Sequence, residues 1–119
     1  MQKKVLIIDD DPDMLKLVKV NLEAKGFKIY ATHSGKEGLA IWKKDQPDLI
    51  LLDVLMPEMD GLSFMREVQS RTDLKNIPIV VLSAKEGIRE LFTMDGIVGH
   101  VSKPFEYDEL LSIINLHLQ

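Results

Sequence analysis

Short apolar runs separated by segments of helical spacing constrain this chain more than any other feature. Val5 to Ile8 and Leu49 to Leu52 are apolar throughout, Ile77 to Leu82 carries only Pro78 near its start, and a weaker run spans Val98 to Val101. A strand with one wet face would alternate polar and apolar residues; these do not, so they suit parallel strands covered on both faces. A fifth segment, Phe27 to Ala31, is more mixed and reads as an edge strand. Between the runs lie helical patterns. Asp11-Pro12 supplies an N-cap and a first-turn proline, Leu15, Val18 and Leu22 recur on one face, and Gly26 stops the helix. Gly35 to Lys44, Leu62 to Ser70, a shorter segment Glu86 to Met94, and Tyr107 to Leu118 read as helices two to five.

Strand then helix, five times, predicts an α/β fold. Each parallel return needs a right-handed crossover, so the expected architecture is one doubly wound, five-stranded parallel sheet with five helices on its two faces. At 119 residues the chain suits one domain spanning residues 1–119, with no internal repeat or linker. In such sheets ligands bind beyond the carboxyl ends of the strands. The residues that close each strand are therefore the informative ones.

Composition removes several classes of function. A net charge of −4 offers no basic footprint for nucleic acid, and the absence of cysteine removes disulfides and thiolate metal sites. No apolar run reaches the length of a membrane span, and the first apolar stretch meets Asp9 and Asp10 too soon for a signal peptide. The expected setting is the cytoplasm, without membrane or direct nucleic-acid contact.

Strand one ends in Asp9 and Asp10, strand three in Asp53, strand four in Ser83, and strand five in Lys103 followed by Pro104. Three acids, a hydroxyl and a cation are thus expected on one rim. Clustered carboxylates repel unless a cation compensates them. Oxygen ligands without thiolate or suitable imidazole favour a hard ion of the Mg²⁺ kind, and lysine is a point charge well matched to phosphate. Acids, ion and lysine together describe a phosphoryl-transfer site, where positioning and charge neutralisation do most of the catalysis.

The segments VLIIDDDP, LILLDVLMPEMDG, VVLSA and SKPF, in that order and spacing, resemble the signature stretches of response-regulator receiver domains across the whole chain. The resemblance implies the flavodoxin-like strand order 2-1-3-4-5 and a phosphoacceptor role in a two-component or phosphorelay system. It implies that Asp53 is the nucleophile that becomes an acyl phosphate. Asp10, Asp53 and the backbone carbonyl of Leu55 would ligate Mg²⁺, for which Mn²⁺ or Ca²⁺ can substitute, and Asp9 would act through water. Ser83 and Lys103 would bind the phosphoryl oxygens, helped by the Ala84 N–H. The Lys103–Pro104 peptide is expected to be cis, and His100 falls at the position of the family's rotating switch, which works with Ser83. The implied partners are a sensor histidine kinase or phosphotransfer protein upstream, and a downstream protein or an output domain beyond this chain. The protein would be no enzyme beyond gaining and losing its own phosphoryl group.

Plainer readings apply to other residues. Asp11 and Asp13 cap helix one and complement its dipole, Asp60-Gly61 is turn chemistry, His33 and His117 are surface residues, and Trp42 is packing. The chain also departs from its relatives' pattern. Ile97-Val98-Gly99 stands where Ala-Asp-Asp is common, removing acids often used for pairing two receivers, and the interval from Ser83 to Lys103 is shorter by about two residues. Helix five carries Leu110, Leu111, Ile113, Ile114, Leu116 and Leu118, more than one stripe, so some should stay exposed. A homodimer through the face of helix four, strand five and helix five, with Ile88, Phe92 and Ile97, stands level with a simple wide core face. Leu55 and Lys85 flank the route by which water would reach the phosphoryl group, where they would slow hydrolysis. Two alternatives remain: a haloacid-dehalogenase-like phosphatase using Asp9 and Asp11, and a docking module that no longer needs phosphorylation.

Overall fold

The computed structural model describes residues 2–53, 64, 66–68, 70, 77–83 and 97–118, with Ser83 described by its backbone alone. Five strands, β1 (Lys4–Ile8), β2 (Lys28–Thr32), β3 (Leu49–Asp53), β4 (Ile79–Ser83) and β5 (Ile97–Ser102), form one sheet in the order β2-β1-β3-β4-β5. All neighbouring pairs are parallel. The expected fold class and strand order are therefore observed.

The uninterrupted apolar runs are explained by two cores, one on each side of the sheet. Leu6, Ile8, Ile50, Leu52, Ile79 and Val81 point to one side, where they meet Leu39, Trp42 and Phe64. Their chain neighbours Val5, Ile7, Leu49, Leu51, Val80 and Leu82 point to the other and meet Leu15, Val18, Leu22, Leu110 and Ile114. With alternate residues buried on opposite faces, only the ends of these strands are left for a polar side chain. Trp42 is nearly fully buried, as its packing role required.

Helices α1 (Pro12–Ala24) and α2 (Gly35–Asp45) and the C-terminal helix (Tyr107–His117) supply these layers. The Asp11 side chain accepts from the N–H groups of Asp13 and Met14, and Gly26 adopts φ +96 just past the end of α1. In α2, Ser34 caps the start by accepting from Glu37 N–H, and Gln46 closes the end in the left-handed region. Gly38 lies so close to β1 that a Cβ would overlap Ile8 Cδ1 and stand 3.0 Å from its Cγ1. Residues 64 and 66–68 are helical, within the span expected for helix three; the expected helix four, Glu86 to Met94, lies outside the described residues, as do Leu55, Ala84 and Lys85.

One irregularity breaks the sheet. Ile79 pairs with Ile97 but Val80 pairs with Gly99, so Val98 is an extra residue, a β-bulge, and is 42% exposed. The bulge explains why Ile97 packs with the first core while Val101 packs with the second. Of the apolar residues on the C-terminal helix, Leu110 and Ile114 are buried, Leu111, Ile113 and Leu118 are partly covered, and Leu116 is exposed. Leu17 and Val20 on α1 are exposed as well. No described helix is long and apolar enough to cross a membrane.

Candidate functional site

Four strand ends converge because parallel strands all finish on the same edge of the sheet. Asp9 follows β1 directly, and its N–H continues the pairing with β2 by donating to the Thr32 carbonyl at 3.1 Å. Asp53 is the last residue of β3, which places it across from Leu82 of β4. Lys103 follows β5, and the Lys103–Pro104 peptide is cis, as expected.

One carboxylate oxygen from each of Asp9, Asp10 and Asp53 lies within 4.8 Å of the others. Asp9 has no exposed surface, Asp53 is buried, and Asp10 is exposed. Asp9 Oδ1 accepts from the Asp11 N–H at 3.0 Å, while the Lys103 ammonium donates to Asp9 Oδ2. The same ammonium reaches Asp53 Oδ2 at 3.4 Å. Burial pushes the Asp9 carboxyl above its usual range, against the pull of Lys103 and the Asp11 N–H. Burial works to lower the Lys103 ammonium, but its bond to Asp9 and the charges of Asp9 and Asp53 outweigh this and hold it above the usual lysine value. Three carboxylates against one ammonium leave a formal charge of −2 in a partly buried space. All-oxygen donors at this spacing fit a hard divalent cation, which would cancel that charge.

Beyond the described residues the assignments stop: Ser83 ends β4, but its side chain is outside the described atoms, and so are Leu55 and Ala84. His100 is exposed on β5. Its strand partner is Val81, a residue of the first core, so His100 stands on the face that also carries α2.

The response regulator receiver domain profile matches residues 5–115 of the 119. The chain belongs to this family. Among solved structures, the chemotaxis response regulator CheY4 of Vibrio cholerae is 30% identical over 99% of this chain and 100% of its own, with a TM-score of 0.88. The response regulator TrrA of Thermotoga maritima, solved with Mg²⁺ and BeF, is 29% identical over 98% of this chain and 100% of its own, at a TM-score of 0.85. The receiver domain of the Pseudomonas aeruginosa sensor histidine kinase PA1611, solved with a magnesium ion in its active-site cleft, is 25% identical over 98% of each chain, at 0.87. Receiver domains serve two-component signalling, so the phosphoacceptor class read from the four motifs holds for this receiver.

Sequence reading missed two features of the site. The first is the direct bond from Lys103 to Asp9; the residues are 94 positions apart, and no local pattern reports such a contact. The second is a groove of about 430 Å³ beside the site, between α1 and the segment that follows β5, lined by Met14, Leu17, Val18, Phe105 and Tyr107 and reaching Asp11 and Lys103. The exposed Leu17, out of step with the buried stripe Leu15, Val18 and Leu22, was its one visible sign.

Proposed function

We propose that Asp53 of this receiver accepts a phosphoryl group from the phosphohistidine of a sensor histidine kinase or phosphotransfer protein. A carboxylate oxygen of Asp53 attacks phosphorus, the new O–P bond forms as the P–N bond to imidazole breaks, and the imidazole leaves with the bonding pair. Asp10 and Asp53, with the Leu55 carbonyl and with Asp9 through water, would hold Mg²⁺, which supplies charge neutralisation when bound. Lys103 moves from Asp9 toward the phosphoryl oxygens, and Ser83 donates to one of them. The chain turns over no substrate other than its own Asp53. Phosphorylation then biases a pre-existing equilibrium through Ser83 and His100, altering the surface read by a downstream protein. This chemistry takes place in the cytoplasm, where the ATP that charges the donor is made.

The observation that carries this reading is the gathering of three carboxylate oxygens within 4.8 Å, with Lys103 bonded to two of the three acids. The same geometry disfavours Asp9 as a phosphatase nucleophile. Asp9 is wholly buried, and both its oxygens already accept hydrogen bonds. Incubation with Mg²⁺ and acetyl phosphate, followed by intact mass and peptide mapping, is expected to give one phosphoryl adduct, on Asp53, and none in Asp53→Asn. An adduct at another residue of the wild-type protein overturns the assignment.

A further inference from the structure

The two arms of the site are tied together a second time, away from the acids. Lys103 is carried by residues 103–106, which lead into the C-terminal helix; Glu106, at the N-cap, makes no side-chain capping bond. Tyr107, the first residue of that helix, donates its hydroxyl to the Asn21 carbonyl of α1 at 2.9 Å. That acceptor is open because α1 ends tightly. In a continuing α-helix Lys25 N–H would donate to Asn21, but it donates to Leu22 at 3.0 Å, as does Phe27 N–H at 3.2 Å, while Gly26 N–H takes Glu23. The tyrosine hydroxyl therefore meets a carbonyl that Lys25 N–H, its donor in a continuing helix, has left for Leu22. Burial, with Asp108 nearby, holds the phenol above its usual pKa, so it remains a donor at neutral pH.

The two ties differ in what phosphorylation does to them. The acid-bearing arm runs from Asp9 through Asp11 into α1, and the lysine-bearing arm runs from Lys103 to Tyr107. In the resting protein they are joined at the site by Lys103 on Asp9 and along the groove by Tyr107 on Asn21. If Lys103 leaves Asp9 for a phosphoryl oxygen, the first tie is lost and the second remains. We infer that Tyr107 is a positioning residue for Lys103, fastening the lysine arm to α1 while the ammonium exchanges Asp9 for the phosphoryl group. This rests on the phosphoacceptor reading of Asp53 and names a residue for which the family motifs have no role.

Tyr107→Phe keeps the ring and removes only the hydroxyl. Beryllofluoride, a phosphoryl mimic, is titrated calorimetrically into the Mg²⁺-loaded protein, and Mg²⁺ alone into the metal-free protein. The variant is expected to bind beryllofluoride about three- to tenfold more weakly, the equivalent of one net hydrogen bond. Its Mg²⁺ affinity should stay within about twofold, since no carboxylate has moved. Ile29→Val, a buried change on β2, is the control for general loss of stability and should leave both affinities as in the wild type. Unchanged beryllofluoride affinity in Tyr107→Phe overturns the inference, as does an equal weakening of both ligands or the same weakening in Ile29→Val. A wild-type protein that took up neither ligand would overturn the phosphoacceptor reading itself, and this inference with it.

Discussion

Replacing Asp53 by asparagine should make the metal-free protein more stable while removing its chemistry. The substitution keeps the shape of the side chain and deletes one negative charge from the cluster. Two repulsions are relieved, toward Asp9 and Asp10 at up to 4.8 Å, each about 3.5 kcal/mol at an effective dielectric constant of about 20. Against these stands the attraction toward Lys103 at 3.4 Å, which amounts to about 5 kcal/mol on the same scale. The difference favours asparagine by about 2 kcal/mol, and solvent around the exposed Asp10 trims this to about 1–2 kcal/mol. For a domain of this size the melting temperature should rise by roughly 3–8 °C. Thermal unfolding in EDTA and again in saturating Mg²⁺ measures both halves of the argument. With Mg²⁺ at a hundred times its Kd the wild type should be stabilised by about 2.7 kcal/mol and overtake the variant, whose donor set is incomplete. A variant no more stable than the wild type in EDTA, or one that keeps the full response to Mg²⁺, would refute the view that the acids are held together against their own repulsion.

Three further outcomes follow from other parts of the molecule. Asp11→Ala removes the side chain that accepts from Asp13 and Met14 N–H, and should cost about 1 kcal/mol in urea denaturation while Mg²⁺ affinity holds. At alkaline pH, Lys103 and Tyr107 both keep their protons longer in the folded protein than in the unfolded chain. Stability should therefore be level below the unfolded value of about 10 and fall as pH climbs through the two raised values, with a shallower fall in Lys103→Met; equal slopes would contradict the assignment. Gly38→Ala adds helix propensity worth about 1 kcal/mol but drives a methyl into Ile8, so thermal unfolding should show no gain, and a loss of up to about 2 kcal/mol.

The parts legible in the sequence were those governed by local patterns and by the rule that parallel strands end together. Runs such as Leu49 to Leu52 announced doubly covered strands, and the acids that follow Ile8 and Leu52 announced the site, since a charge directly after a buried strand sits on the sheet's edge. Boundaries slipped by a residue where polar side chains are buried: β2 ends at Thr32 rather than Ala31, because Thr32 is covered and its hydroxyl accepts from Ser34 N–H. Contacts set by tertiary closure were not legible. Lys103 on Asp9 and Tyr107 on Asn21 join residues 94 and 86 positions apart, and neither has a spacing to betray it. The bulge at Val98 was hidden for a related reason: in Ile97-Val98-Gly99-His100 the faces are assigned by pairing with β4, and the order of polar and apolar residues does not mark the one that drops out.

That dropped residue has a consequence for how the protein tolerates changes in length. Everything downstream of Val98 keeps step with β4: Gly99 fits beneath Ile113, where a Cβ would stand 2.9 Å from its Cδ1, and the strand delivers Lys103 to the acids. Excising residue 98 would turn the bulge into ordinary pairing and leave the lysine aimed as before. Excising residue 100 instead would use up the bulge by drawing Val98 into the place of Gly99 beneath Ile113, where even a Cβ is crowded. Within this strand, then, evolution can edit length at its entrance and almost nowhere else.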